Sequence, residues 1–165
     1  MHSFVIRTMQ VLLMGLGATL IFDLWGLFLR QAFKVAPSSM CLVGRWLRSM
    51  PEGTFRHADP ASAPPRRAEC ALGWIAHYMI GIAFATVFVA LAGSRWLQHP
   101  TLFPAMLFGI VTVLAPFFIL QPAFGQGIAA SKTPNPNRAR GRSLMNHAIF
   151  GFGLYLSGLV IGWLF

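Results

Sequence analysis

Four stretches of the chain stay apolar for longer than any strand or ordinary core helix. They run from Met9 to Leu29, Ala71 to Ala92, Thr101 to Ala123 and Leu144 to Phe165. Each holds 21 to 23 residues, and a bilayer core takes about 20 residues of helix. Lipid offers no partner to backbone N–H and C=O groups, so such stretches must be helical. The pattern predicts an all-α fold: one membrane domain over 1–165, an integral bundle of four transmembrane helices with spans 9–29, 71–92, 101–123 and 144–165. Arg7 followed by an apolar run resembles a signal peptide, but Asp23, Leu24 and Trp25 stand where a small-residue cleavage site is needed. The run is therefore read as a retained span.

Two polar stretches, 30–70 and 125–143, separate the spans on one side. Within the first, Val43, Trp46, Leu47 and Met50 share a helical face, with Arg45 and Arg48 away from it. This predicts a short amphipathic interfacial helix, with Trp46 at headgroup level or the helix packed on the protein itself. Pro51 to Glu69, with Pro60, Pro64 and Pro65, reads as an extended surface linker. In the second stretch, Pro134 and Pro136 bias Thr133 and Asn135 away from helix before a basic run begins.

Composition sharpens this picture. Only 10% of residues are charged and mean hydropathy is +0.62, against roughly 25% charged for a soluble domain. A typical soluble enzyme and a disordered chain are both excluded. Lys and Arg outnumber Asp and Glu by 13 to 4. Eleven of these cations lie in the two long loops and two, Arg7 and Arg95, on the other side. The positive-inside rule then places both loops in the cytoplasm and both termini in the periplasm. The basic residues sit between hydrophobic runs, so lipid is the expected partner and nucleic acid is not. Cys41 and Cys70 fall near the cytoplasmic face and are expected to remain reduced and inert.

Candidate chemistry resides in the polar residues buried among the spans. Asp23, His77 and His147 each lie in the cytoplasmic third of a span, with Gln121 close to that level. A charge at bilayer depth costs roughly 2.5–3.5 kcal/mol, so it normally faces the bundle and finds a partner. Small residues accompany each one at helical spacing: Gly15 and Thr19 with Asp23, Gly73 and Gly81 with His77, Gly151 and Gly158 with His147. These stripes predict packing faces. The cluster is expected to bind a proton or a small solute, with Asp23 as acceptor; the alternatives are a purely structural junction and a haem held by His77 and His147. No cofactor is otherwise expected. A metal site of Asp23, His77 and His147 lacks a fourth ligand. The absence of Gly-x-Ser-x-Gly, His-Glu-x-x-His or paired acids favours a non-enzymatic protein. Lys132, Arg138, Arg140 and Arg142 form a candidate headgroup or anion contact. Solute passage through so small a bundle would require a homo-oligomer. Pro116 removes one backbone hydrogen bond inside the third span and predicts a kink. His77-x-x-x-Gly81 and His147-x-x-x-Gly151 form a weak internal repeat.

Several motifs carry a family resemblance. Gly15-x-Gly-Ala-Thr19 with Asp23-Leu-Trp25, Cys41-Leu-Val-Gly-Arg-Trp46, Glu69-Cys-Ala-Leu-Gly-Trp74 and His77-Tyr78-x-x-Gly81 resemble the bacterial domain of unknown function 2938. Leu114-Ala-Pro116, Lys132-Thr-Pro-Asn-Pro136 and His147-x-x-x-Gly151 fit it as well. The resemblance covers nearly the whole chain. It implies a bacterial membrane protein of about four spans, and it brings no activity, ligand or site residue.

Overall fold

A computed structural model describes residues 2–165, with side chains from residue 4 onward. Every regular element among them is helical. The long helices are α1 (His2–Phe33), α3 (Glu69–Ala92) and α6 (Pro136–Leu164). Shorter ones are α2 (Met40–Ser49), α4 (Leu102–Val111) and α5 (Gln121–Ala123). Four segments are long and apolar enough to cross a membrane: Phe4–Phe33, Glu69–Ala92, Leu102–Ala123 and Pro136–Leu164. At most 39% of the residues in any of their apolar windows are buried within the chain. Large apolar side chains such as Phe103, Leu91 and Trp163 therefore face outward, as a multi-pass membrane protein requires.

The third span is not one helix. α4 ends at Val111, and a single π turn covers Pro116–Leu120 before α5. Pro116 has no N–H to give, and the Gln121 N–H bonds the Pro116 carbonyl five residues back. The expected kink is thus a change of helical register. The fourth span extends further back than expected. α6 starts at Pro136, so Arg138, Arg140 and Arg142 ride on a helix. Proline suits that first position, where its missing N–H would find no helical acceptor.

The chain divides into two compact units. The first runs to Pro37 and adds Tyr78–Thr112 and Met145–Phe165. Its core joins Met14, Ala18, Ala85, Phe88, Trp96, Ala105, Phe150 and Leu154. Small residues set the helix spacing. A methyl on Gly15 would lie 2.6 Å from Ile82 Cα, and one on Gly151 would lie 2.6 Å from the Ala105 carbonyl oxygen. Gly158 takes the ring of Trp96, whose indole also stands edge-on to Phe88 at 4.7 Å. The stripes of small residues are therefore intramolecular packing faces.

The second unit comprises Ser38–His77 and Val113–Leu144. Here α2 crosses the start of α3. Each helix carries Cys-x-x-Gly at the crossing: Cys41 with Gly44, and Cys70 with Gly73. A side chain on Gly44 would strike the Glu69 carbonyl, and one on Gly73 the Met40 carbonyl. With backbones so close, Cys41 and Cys70 form a disulfide, their Cα atoms 3.8 Å apart. This corrects the expectation of reduced, inert thiols: sequence spacing gave no sign that two residues 29 apart would meet.

Arg45 also departs from expectation. It turns inward from α2 and is 8% exposed. Its guanidinium takes both Glu69 carboxylate oxygens, at 2.9 and 2.7 Å. It donates further to the carbonyls of Pro60, Ala61 and Ala63. A planar fork with five N–H groups suits this task, and an ammonium does not. The segment after α2 is consequently a folded loop wrapped on Arg45. The extended linker expected there is ruled out by these bonds.

Candidate functional site

The first unit contains two polar pairs. Tyr78, on α3, donates its hydroxyl to Asp23 Oδ2 on α1 at 3.0 Å. Thr112, which caps α4, lies 2.7 Å from Nδ1 of His147 on α6. The Thr112 hydroxyl is also within reach of the Gly109 carbonyl, at 2.5 Å. Which of the two donates across the Thr112–His147 contact follows the imidazole tautomer. Phe22 stands edge-on to the His147 ring at 6.4 Å.

Two more polar atoms in this unit are buried with no hydrogen-bond partner: Nε1 of Trp25 and Oδ1 of Asn146. Trp25 follows Asp23 by two residues, and Asn146 precedes His147. A buried polar atom without a partner costs about 1–3 kcal/mol.

Of the residues expected to cluster, Asp23 and His147 belong to the first unit, and His77 and Gln121 to the second. His77 packs edge-on to Trp74 at 5.8 Å. Gln121 is 8% exposed and gives its amide N–H to Ser143 at 3.2 Å, while its Oε1 is buried and unpartnered. Among the described residues, no group of three His, Cys, Asp or Glu side chains is arranged to hold a metal. Tyr78, Thr112 and Asn146 escaped the sequence reading. Tyr78 is next to His77, and its spacing to the Asp23 helix is invisible without the fold.

Arg140 donates to the Ala129 carbonyl at 2.8 Å and to Asn137 at 3.1 Å, so it braces the turn before α6. Arg138 is exposed. Arg66 grips Glu52 with both terminal nitrogens, and that hydrogen bonding holds the Glu52 carboxyl below its ordinary range. Lys132 lines a cavity of about 470 Å³ whose other walls include Arg56, His57, Pro122, Ile128 and Ser131.

A family model described as a protein of unknown function, DUF2938, matches residues 12–161. The chain belongs to the DUF2938 family. The match runs from the first span to the last turns of α6, so it takes in both units and all the polar residues above from Asp23 to His147. No curated protein and no solved structure matches this DUF2938 chain.

Proposed function

We propose that this DUF2938 protein is a non-enzymatic protein of the bacterial inner membrane that binds a proton or a small polar solute among its spans. The observation that carries the reading is unused hydrogen-bonding capacity. On the helices that carry the Asp23–Tyr78 and Thr112–His147 pairs, Trp25 Nε1 and Asn146 Oδ1 are buried and unmatched. A packed structural junction would satisfy its polar atoms internally. Unmatched polar atoms on the helices of both pairs support a polar guest, and Asp23 adds an ionisable acceptor at its hydrogen-bonded position.

The charge bias of the loops supports periplasmic termini, with the lipid bilayer as partner and a homo-oligomer where passage is required. One observation favours the reverse orientation. The Cys41–Cys70 disulfide suits an oxidising compartment, and the cytoplasm keeps thiols reduced. An alkaline-phosphatase fusion after Phe165 separates the two: activity supports periplasmic termini, and inactivity supports loops outside. For proton binding that leads to passage, the full chain is reconstituted in vesicles containing a pH-sensitive dye. Proton uptake under an imposed gradient, abolished in Asp23→Asn and retained in the distant Arg95→Gln, supports the reading. A folded wild-type protein that leaves the dye response of empty vesicles unchanged, at every gradient and with Asp23→Asn equally stable, overturns the proton version and favours the structural junction.

A further inference from the structure

The cavity of the second unit is built by two loops remote in sequence. The His57 N–H donates to the Ala123 carbonyl at 2.8 Å and draws the Arg56–Ala58 segment onto the loop after α5. Gly125, at φ +73°, lets the Ala58 carbonyl approach where any side chain would collide. The Lys132 N–H closes the second loop on the Gln126 carbonyl at 2.9 Å. The result brings Arg56, His57, Ser131 and Lys132 around one space of about 470 Å³, with Pro122 and Ile128 as apolar wall. That volume falls within the range of small-molecule sites.

Its electrostatics are one-sided. The carboxylates of this unit are committed elsewhere: Glu69 to Arg45, Glu52 to Arg66, and Asp59 to the Ala61 N–H. None of them lines the cavity. Nε2 of His57 is buried and has no hydrogen-bond partner. Two cationic side chains, an imidazole and a serine line a space with no acid in its walls.

We propose that this cavity binds a phosphate group of net negative charge carried by an organic ligand, with Arg56 and Lys132 supplying charge, and His57 and Ser131 supplying hydrogen bonds. The apolar wall accommodates the carbon skeleton attached to the phosphate. An anionic lipid headgroup and a soluble phosphate ester present the same chemistry, and this site shares only Lys132 with the expected Lys132, Arg138, Arg140 and Arg142 contact. It is independent of the proton or solute reading of the spans.

The test uses the full chain in an uncharged detergent, with binding followed by native mass spectrometry and thermal shift. The probes are phosphatidylglycerol, phosphatidylcholine and glycerol 3-phosphate. Wild type is expected to bind at least one of the two anionic probes about tenfold more tightly than phosphatidylcholine. The double variant Arg56→Gln, Lys132→Gln should lose that preference, as should His57→Ala, while Arg138→Gln keeps it. Both cations are exposed, so the double variant should retain the wild-type melting temperature. Preference for phosphatidylglycerol alone assigns a lipid headgroup; binding of glycerol 3-phosphate assigns a soluble ester. Equal binding of all three probes overturns the proposal. So does an equal loss in Arg138→Gln, which would mean diffuse surface attraction.

Discussion

The crossing of α4 and α6 gives a quantitative test of how this bundle is held together. In Gly151→Ala, the new methyl would stand 2.6 Å from the Ala105 carbonyl oxygen and 3.0 Å from Met106 Cα. Carbon atoms in good contact lie about 3.5–4.0 Å apart. The obstructing atoms are backbone, so no rotamer change relieves the clash and α4 must retreat by about 0.5–1 Å. A gap of that size forfeits roughly a quarter to a half of each contact well along the crossing. Overpacking of this kind costs about 1–3 kcal/mol. Alanine also gains about 0.5–1 kcal/mol over glycine as a helix former. Gly26 supplies the control, because a methyl there meets nothing within 4 Å. Gly26→Ala should therefore show the propensity gain alone, and the difference between the two variants isolates the packing loss at about 1–3 kcal/mol. Unfolding in mixed micelles of dodecyl maltoside and dodecyl sulfate, followed by circular dichroism, measures both. Equal midpoints would refute the claim that close backbone approach stabilises the bundle.

Other outcomes follow from the second unit. Arg45→Met and Arg45→Lys should both speed limited proteolysis between Pro60 and Arg67, since neither side chain reproduces the fork that binds Glu69 and three carbonyls; an unchanged cleavage rate would count against the wrapped loop. Opening the Cys41–Cys70 disulfide should cost about 3–4 kcal/mol, because it releases a loop closed across 29 positions. The double Cys→Ser variant should match the reduced protein and ignore dithiothreitol. Gly125→Ala should part the two loops of the basic cavity, because its φ is +73° and the Ala58 carbonyl occupies the space. Hydrogen exchange at the His57 N–H reports this, and slow exchange in the variant would exclude it.

Much of the fold was legible from hydropathy alone, because lipid rewards a continuous apolar run of fixed length. The packing stripes were legible for a related reason: backbones approach closely in lipid only where side chains are small. Gly15, Thr19 and Gly81 do meet across α1 and α3. What escaped was pairing between distant positions. Arg45 belongs by periodicity to the polar side of its helix, and only the arrival of Glu69, 24 residues later, makes its burial favourable. Cys41 and Cys70 were unreadable for the same reason. The basic run after Pro136 was visible as charge, but that helix α6 turns Arg140 back onto Ala129 was not, because charge carries no direction.

The α2–α3 crossing bears on how the molecule is made. Cys41, Gly44 and Arg45 leave the ribosome before Glu69, Cys70 and Gly73 exist. Until the second apolar helix emerges, the guanidinium has no carboxylate and the first thiol no mate. The early loop must therefore wait, open to solvent and to stray sulfhydryl chemistry, for about two dozen more residues to be synthesised. Docking of the second helix ends that vulnerable interval in one stroke, joining charge, sulfur and backbone at a single seam.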